Sequence, residues 1–210
     1  MALLSMLGYR TVNLGEYAEA LKDPAGDEKK GKRILLTFDD ASFSVVENAL
    51  PEMGKYGFKG CVFAVAGKLG GKCSWDGEAD NSPHRLMNAQ ELRTLAKRGW
   101  DVGAHTMTHP DLTSMSPAQA WAQIADSKKT LEALLEEAVT SFAYPYGRYD
   151  SALKDAVRSA GYSLAFATEQ GDGDPLALAR RIISGRNGPV KFLFRLFQAA
   201  KLAGRRDRPK

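Results

Sequence analysis

The 210-residue sequence is poor in the side chains that most often advertise chemistry. It has two cysteines, Cys61 and Cys73, and three histidines, His84, His105 and His109. The cysteines lack the paired spacing of a zinc-binding motif. Cys61 opens the apolar run CVFAVAG, where a thiol packs as a small hydrophobe, so both thiols are expected reduced and structural. No stretch of eighteen apolar residues exists, and no membrane-spanning helix is expected. The opening MALLSMLGYR is too short, and polar too soon, for a secretory leader, which puts the chain as written in the cytoplasm. Repeats and low-complexity tracts are missing as well, leaving an ordinary globular composition. Negative charge is scarce at one end: residues 191–210 hold seven Lys or Arg against Asp207, a net +6, while the other 190 residues sum to −2. The basic character therefore belongs to the tail, which argues against a nucleic-acid-binding body and nucleic-acid partners. The length suits one buried core better than two. Residues 1–190 are read as one domain and 191–210 as a basic amphipathic C-terminal helix and tail.

What is present is an alternation of short apolar runs with amphipathic stretches. RILLTF (33–38), GCVFAVAG (60–67), DVGAH (101–105), TSFAYP (140–145) and YSLAFAT (162–168) read as strands, and RTV (10–12) as a shorter one. Caps and stops predict helices from Asn13 with Glu16, across 45–55, from Asn88 with Glu91 to Gly99, from Ser116, Pro117 and Gln119 towards Glu137, and from Asp150 to Gly161. The repetition predicts an α/β fold with a parallel sheet, open or closed as a barrel. Residues 67–83, rich in Gly, Asp and Asn, read as a surface loop. The chain opens as if already inside a βα unit, so a preceding strand is expected upstream of Met1.

Residues at the carboxyl ends of parallel strands gather on one face, where sites form. Three such ends carry polar groups here: Asp39–Asp40 after LLTF, His105 and His109 after DVGA, and the stretch FAYPYGRYD (142–150). Histidines four apart on a helical turn face one side, with Cβ atoms about 5–6 Å apart, and could share one metal ion. Two imidazoles and one carboxylate form a three-ligand set that leaves positions for water and substrate, and Zn²⁺, Co²⁺, Ni²⁺ and Fe²⁺ all suit it. If one carboxylate of the Asp pair binds the metal, the other is free as a base, and a nearby cation keeps it ionised despite its neighbour. That chemistry is metal-assisted amide or ester hydrolysis. The plainer alternative is that both histidines merely cap or pack.

TFDD, HTMTH and AYPYG, in that order, resemble the NodB-homology polysaccharide deacetylases, carbohydrate esterase family 4, along residues 8–185. The resemblance implies a distorted (β/α) barrel of about seven strands, of the glycoside hydrolase–deacetylase type. It implies metal-dependent removal of N- or O-acetyl groups from an acetylated glycan, usually with Zn²⁺. Carried over by motif position, Asp39 is the catalytic base, and Asp40, His105 and His109 hold the metal. Tyr146 supplies a backbone N–H for the developing oxyanion, and Tyr144, Pro145 and Gly147 line the groove. Trp75 is a candidate sugar-stacking wall, whereas Trp100 and Trp121 are expected in the core or on helix faces.

The sequence departs from the family pattern in three places. Ala143 stands where members often have an Arg that orients the base, and Arg148 or Arg180 would have to replace it. The late Leu-x-x-His motif is missing, and His84, in the expected surface loop, is the remaining histidine. A branch with the FAYPYG form carries its acid histidine ahead of the first Asp pair, which here would fall before Met1. Ala41 replaces a common Gly, acceptable unless its φ must be positive. Two other readings stay open: hydrolysis of another C–N amide, such as a formamide or cyclic imide, or a catalytically impaired glycan-binding relative. The tail reads either as a docked terminal helix with a solvated basic end or as an interfacial helix drawn to anionic lipid at the inner membrane face.

Overall fold

Reciprocal side-chain caps start three helices where the sequence places them. Asn13 with Glu16, Asn88 with Glu91 and Ser116 with Gln119 each close a capping box, each worth about 1 kcal/mol. The computed structural model describes residues 1–73, 75, 84–168, 171–184 and 187–204. In chain order the elements are α1 (Ala2–Met6), β1 (Arg10–Thr11), α2 (Leu14–Lys22), α3 (Pro24–Glu28), β2 (Arg33–Ile34), β3 (Thr37–Phe38), α4 (Leu50–Gly54), β4 (Cys61–Ala64), α5 (Ala89–Lys97), β5 (Asp101–Ala104), α6 (Pro117–Leu135), β6 (Ser141–Ala143), α7 (Ser151–Ser159), β7 (Leu164–Phe166) and α8 (Pro189–Gly204).

The strands form a curled parallel half-barrel, β3-β4-β5-β6-β7, and a separate parallel pair, β1-β2. The run 33–38 is not one strand as expected: it splits between the two sheets, Ile34 aligned with Thr11 and Thr37 with Cys61. Between them Leu36 still accepts a hydrogen bond from the Cys61 amide at 2.8 Å. The helix expected over 45–55 opens as a π-turn, Val45–Ala49, before α4. Pro51 explains the change, because it has no N–H to donate to the preceding turn.

Alternation along the strands divides the interior. Cys61 and Phe63 of β4, Ala143 of β6, and Leu164 and Phe166 of β7 pack in one cluster, which Leu14 and Tyr17 of α2 also join. Val62, Ala64, Phe142 and Ala165 point the other way, into the larger cluster beneath α5, α6 and α7. Gly103 of β5 makes room for the first cluster: a Cβ there would lie 2.4 Å from the Phe63 ring. Removing the Phe63 ring would cost about 3–5 kcal/mol. Neither cysteine is in a disulfide, and Cys61 is fully buried. Trp100 is buried, and Trp121 lies exposed on α6. The helix α8 begins two residues before the expected terminal segment, and Phe192 and Leu196 pack on the larger cluster. Of the basic tail, residues 205–210 lie outside the described residues, as do 74 and 76–83 of the expected surface loop. No described helix is long and apolar enough to cross a membrane.

Candidate functional site

The chain leaves β3, β5 and β6 in strained backbone. Among the described residues six non-glycine positions have positive φ, and five of them are Asp40, Ala41, Thr106, His109 and Tyr146. Such strain costs about 1–3 kcal/mol per residue and survives only where the surroundings enforce it. All five sit in the loops that follow these three strands, so the strain marks the site before any chemistry is considered.

His105 and His109 do not lie on a helical turn, contrary to the spacing argument. Residues 105–109 form a loop in which Thr106 and His109 are left-handed. The Thr106 hydroxyl donates to the His105 carbonyl and accepts from the His109 amide at 2.9 Å. Gln123 of α6 clamps the same loop. Its Oε1 accepts the Met107 and Thr108 amides, both at 3.0 Å, and its Nε2 donates to Thr108 Oγ1 at 3.0 Å. The rings nevertheless converge as anticipated, 4.7 Å apart and edge to face.

Asp40 Oδ1 lies 3.7 Å from His105 Nε2 and 3.5 Å from His109 Nε2. Among the described residues these three form the group suited to a metal ion. Ligands bonded to zinc at about 2.0–2.1 Å in a tetrahedron stand roughly 3.3 Å apart, so the donor set and its spacing fit a divalent ion. His105 Nδ1 is 2.7 Å from the Ala143 carbonyl. A carbonyl only accepts, so Nδ1 carries the proton and Nε2 keeps its lone pair towards Asp40. Burial holds His105 below the ordinary imidazole pKa despite the charge of Asp39. Burial, with His105 beside it, brings His109 down to about 3. Both rings are therefore neutral at physiological pH, the form a metal requires.

Asp39 is held separately. Arg180, beyond β7, donates from Nη1 to Oδ1 at 2.7 Å and from Nη2 to Oδ2 at 2.8 Å. The same guanidinium also donates to Thr37 Oγ1 at 3.1 Å and to the Ala167 carbonyl at 3.0 Å, and it lies over the Phe63 and Phe166 rings. Burial alone would raise the Asp39 pKa, but Arg180 and the nearby histidines outweigh it and bring it to about 2. Of the two arginines considered in place of Ala143, Arg180 is the one that meets Asp39. Arg148 pairs with Asp111 at 2.5 Å instead.

The AYPYG segment follows β6. Tyr144 and Pro145 are buried. Alternation along β6 turns Tyr144 towards the larger cluster, where its hydroxyl donates to the Leu176 carbonyl at 2.9 Å. Tyr146 stands exposed at the turn, its ring 4.8 Å from His109 and edge-on. Gly147 is needed because its φ is +68° and a Cβ would lie 2.2 Å from Thr168 Oγ1. Trp75 stacks on His109 at 4.6 Å. His84 is exposed, and its carbonyl accepts from the Cys73 amide at 3.2 Å. Ala41 adopts φ +56°, the condition under which its replacement of glycine carries a cost.

The polysaccharide deacetylase family model matches residues 26–165. The chain belongs to the polysaccharide deacetylase family. It is 30% identical to YxkH of Bacillus subtilis (strain 168), over 86% of this chain and 62% of that protein. It is 25% identical to the poly-beta-1,6-N-acetyl-D-glucosamine N-deacetylase of Staphylococcus aureus (strain MRSA252), over 68% of this chain and 51% of that one. The chain thus spans less than two thirds of the length of either relative. Among solved structures, the deacetylase PplD of Streptococcus pyogenes, in complex with acetate, superposes with a TM-score of 0.76 at 26% identity, covering 91% of this chain and 81% of that one. IcaB from Ammonifex degensii gives 0.72 at 25% identity, covering 95% and 84%. The polysaccharide deacetylase fold expected from the sequence is thus the one observed.

Proposed function

We propose that this chain is a metal-dependent deacetylase that removes N-acetyl, or O-acetyl, groups from an acetylated glycan, with poly-N-acetylglucosamine the favoured substrate class. The observation that carries the reading is the Arg180–Asp39 pair beside the Asp40–His105–His109 group. Family membership and the named activity of the staphylococcal relative support it. Asp40, His105 and His109 would hold the ion, and a bound Zn²⁺, or Co²⁺ or Ni²⁺, supplies Lewis acidity and a water of lowered pKa.

Asp39 then accepts the proton of the attacking water. Arg180 occupies one direction on each carboxylate oxygen, and each oxygen keeps a second lone pair. The Arg180 fork keeps the base ionised, and the proton it takes passes on to the leaving amine. Water adds to the acetyl carbonyl, the C–N bond breaks, and acetate and a free amine leave. Tyr146, in its left-handed turn, offers a backbone donor for the oxyanion, an interaction worth about 3–4 kcal/mol to a transition state. The exposed Tyr146 ring and the Trp75 ring flank His109, where a sugar face would stack.

The test is acetate release from β-1,6-linked N-acetylglucosamine oligomers with added Zn²⁺. Asp39→Asn is expected to keep zinc and lose turnover, and His105→Ala to lose both. Equal turnover in wild type and Asp39→Asn would remove Asp39 as base. Zinc binding without acetate release from the wild type would favour a glycan-binding relative.

A further inference from the structure

Among the described residues ten large hydrophobic side chains are exposed, and six of them are Ile182, Ile183, Val190, Leu193, Phe194 and Phe197. Scattered singly, exposed apolar side chains need no explanation, but a concentration in one short segment does. The last four fall on α8 at i, i+3, i+4 and i+7, the spacing of a single helical stripe. Val190 is 81% exposed, and Phe194 and Phe197 are each 58% exposed. The stripe is not the face that holds α8 to the barrel. Phe192 and Leu196 make that contact, and at 3.6 residues per turn they point about 130° away.

The helix therefore has two apolar faces, one docked and one turned outward. Lys191 and Arg195 lie on the flank that borders the outward stripe, and Arg205, Arg206, Arg208 and Lys210 follow it in the sequence. We propose that the outward face of α8 is a docking surface for a membrane rich in anionic lipid, with the phenylalanines entering the acyl boundary and the basic residues meeting the headgroups. The charge decides between occupants. A segment of net +6 repels a second copy of itself and is attracted by an anionic leaflet, where each basic residue strengthens partitioning about fivefold. A polyanion such as nucleic acid would match the charge but leave the stripe of four apolar side chains in water. Both apolar insertion and anionic charge are needed for stable interfacial binding, and this segment carries both. The docked face leaves the barrel folded whether or not lipid is present.

The experiment is vesicle flotation of the full chain at low salt. The vesicles are phosphatidylcholine alone or phosphatidylcholine with about 30% phosphatidylglycerol, a usual anionic surface. Flotation is expected with the anionic vesicles only, and it should fall as salt rises. Phe194→Ser with Phe197→Ser, both exposed and so tolerated by the fold, should lower partitioning by at least about tenfold. Unchanged zinc binding by that variant shows the barrel intact. Absence of flotation with anionic vesicles overturns the proposal. Flotation that the double variant leaves unaltered overturns it too, since the tail would then adsorb by charge alone. A vesicle-free dimer that the same substitutions dissolve overturns it in favour of a self-interface.

Discussion

Arg180→Met tests the element of the site on which most of the reasoning rests. Methionine keeps an apolar stem between Phe63 and Phe166 but removes four hydrogen bonds and the charge facing Asp39. Breaking a fully buried pair from one side costs about 3–5 kcal/mol, and an exposed one about 0–1 kcal/mol. The Arg180 side chain is 14% exposed and that of Asp39 35%. Water therefore screens the carboxylate in part, and the expected loss is about 2–3 kcal/mol. For a chain of this size that lowers Tm by roughly 5–10 °C.

The pH dependence fixes the cause. Asp39 titrates at about 2 in the folded protein against an ordinary 3.8. Its stabilising contribution is thus complete above about pH 4 and lost as the pH falls through 2; after solvent screening it amounts to about 1–2 kcal/mol. Without Arg180, burial is the leading influence and the carboxyl moves up. Protonation then relieves a buried charge, so the deficit against wild type should be largest near neutrality and shrink in acid. Melting curves from pH 3 to 8 at equal metal content measure it, and the acid limb of kcat/KM should rise with the shifted base. A Tm difference independent of pH, or none at all, would refute the assignment. Arg180→Lys restores the charge without the fork and should recover only part of the loss.

Gly147→Ala is expected to destabilise the chain by about 1–3 kcal/mol in urea unfolding, because a left-handed residue gains a Cβ against Thr168. Turnover should fall more than the stability loss explains, since Tyr146 is displaced. Gln123→Ala frees the loop that carries His109 while leaving all three candidate ligands in place, and zinc affinity measured by chelator competition should drop about tenfold. Unchanged affinity would show that the loop holds itself.

The parts of the fold written in local chemistry were legible. Capping boxes at Asn13, Asn88 and Ser116 reproduce because each depends on residues three apart. Apolar runs located the strands, although the split of 33–38 between two sheets was not visible, because neither half carries a turn residue to mark it. The three motifs named residues that the structure brings together: Asp39, Asp40, His105, His109 and Tyr146, with Trp75 beside them. What sequence could not supply was the choice between Arg148 and Arg180. Arg180 lies 141 residues from Asp39, and no spacing rule connects them. Gln123, on the polar side of α6, gave no signal of its own. Tyr144 follows the alternation along β6 into the larger cluster, which its motif position did not show.

Ala41 shows how a departure that should have strained the site is tolerated. Its φ of +56° costs an alanine about 1–2 kcal/mol more than a glycine. Yet Ala41 is fully buried in the larger cluster, where its methyl group contributes about 0.8 kcal/mol. An alanine also loses less backbone freedom on folding than a glycine, by about 0.4–1 kcal/mol. These terms nearly cancel, so Ala41 can follow the Asp pair without moving Asp40, and Ala41→Gly should leave stability within about 1 kcal/mol. The backbone conformation needed to present Asp40 to the histidines is thus held by packing, not by the residue type, and so residue types alone left the sign of φ open.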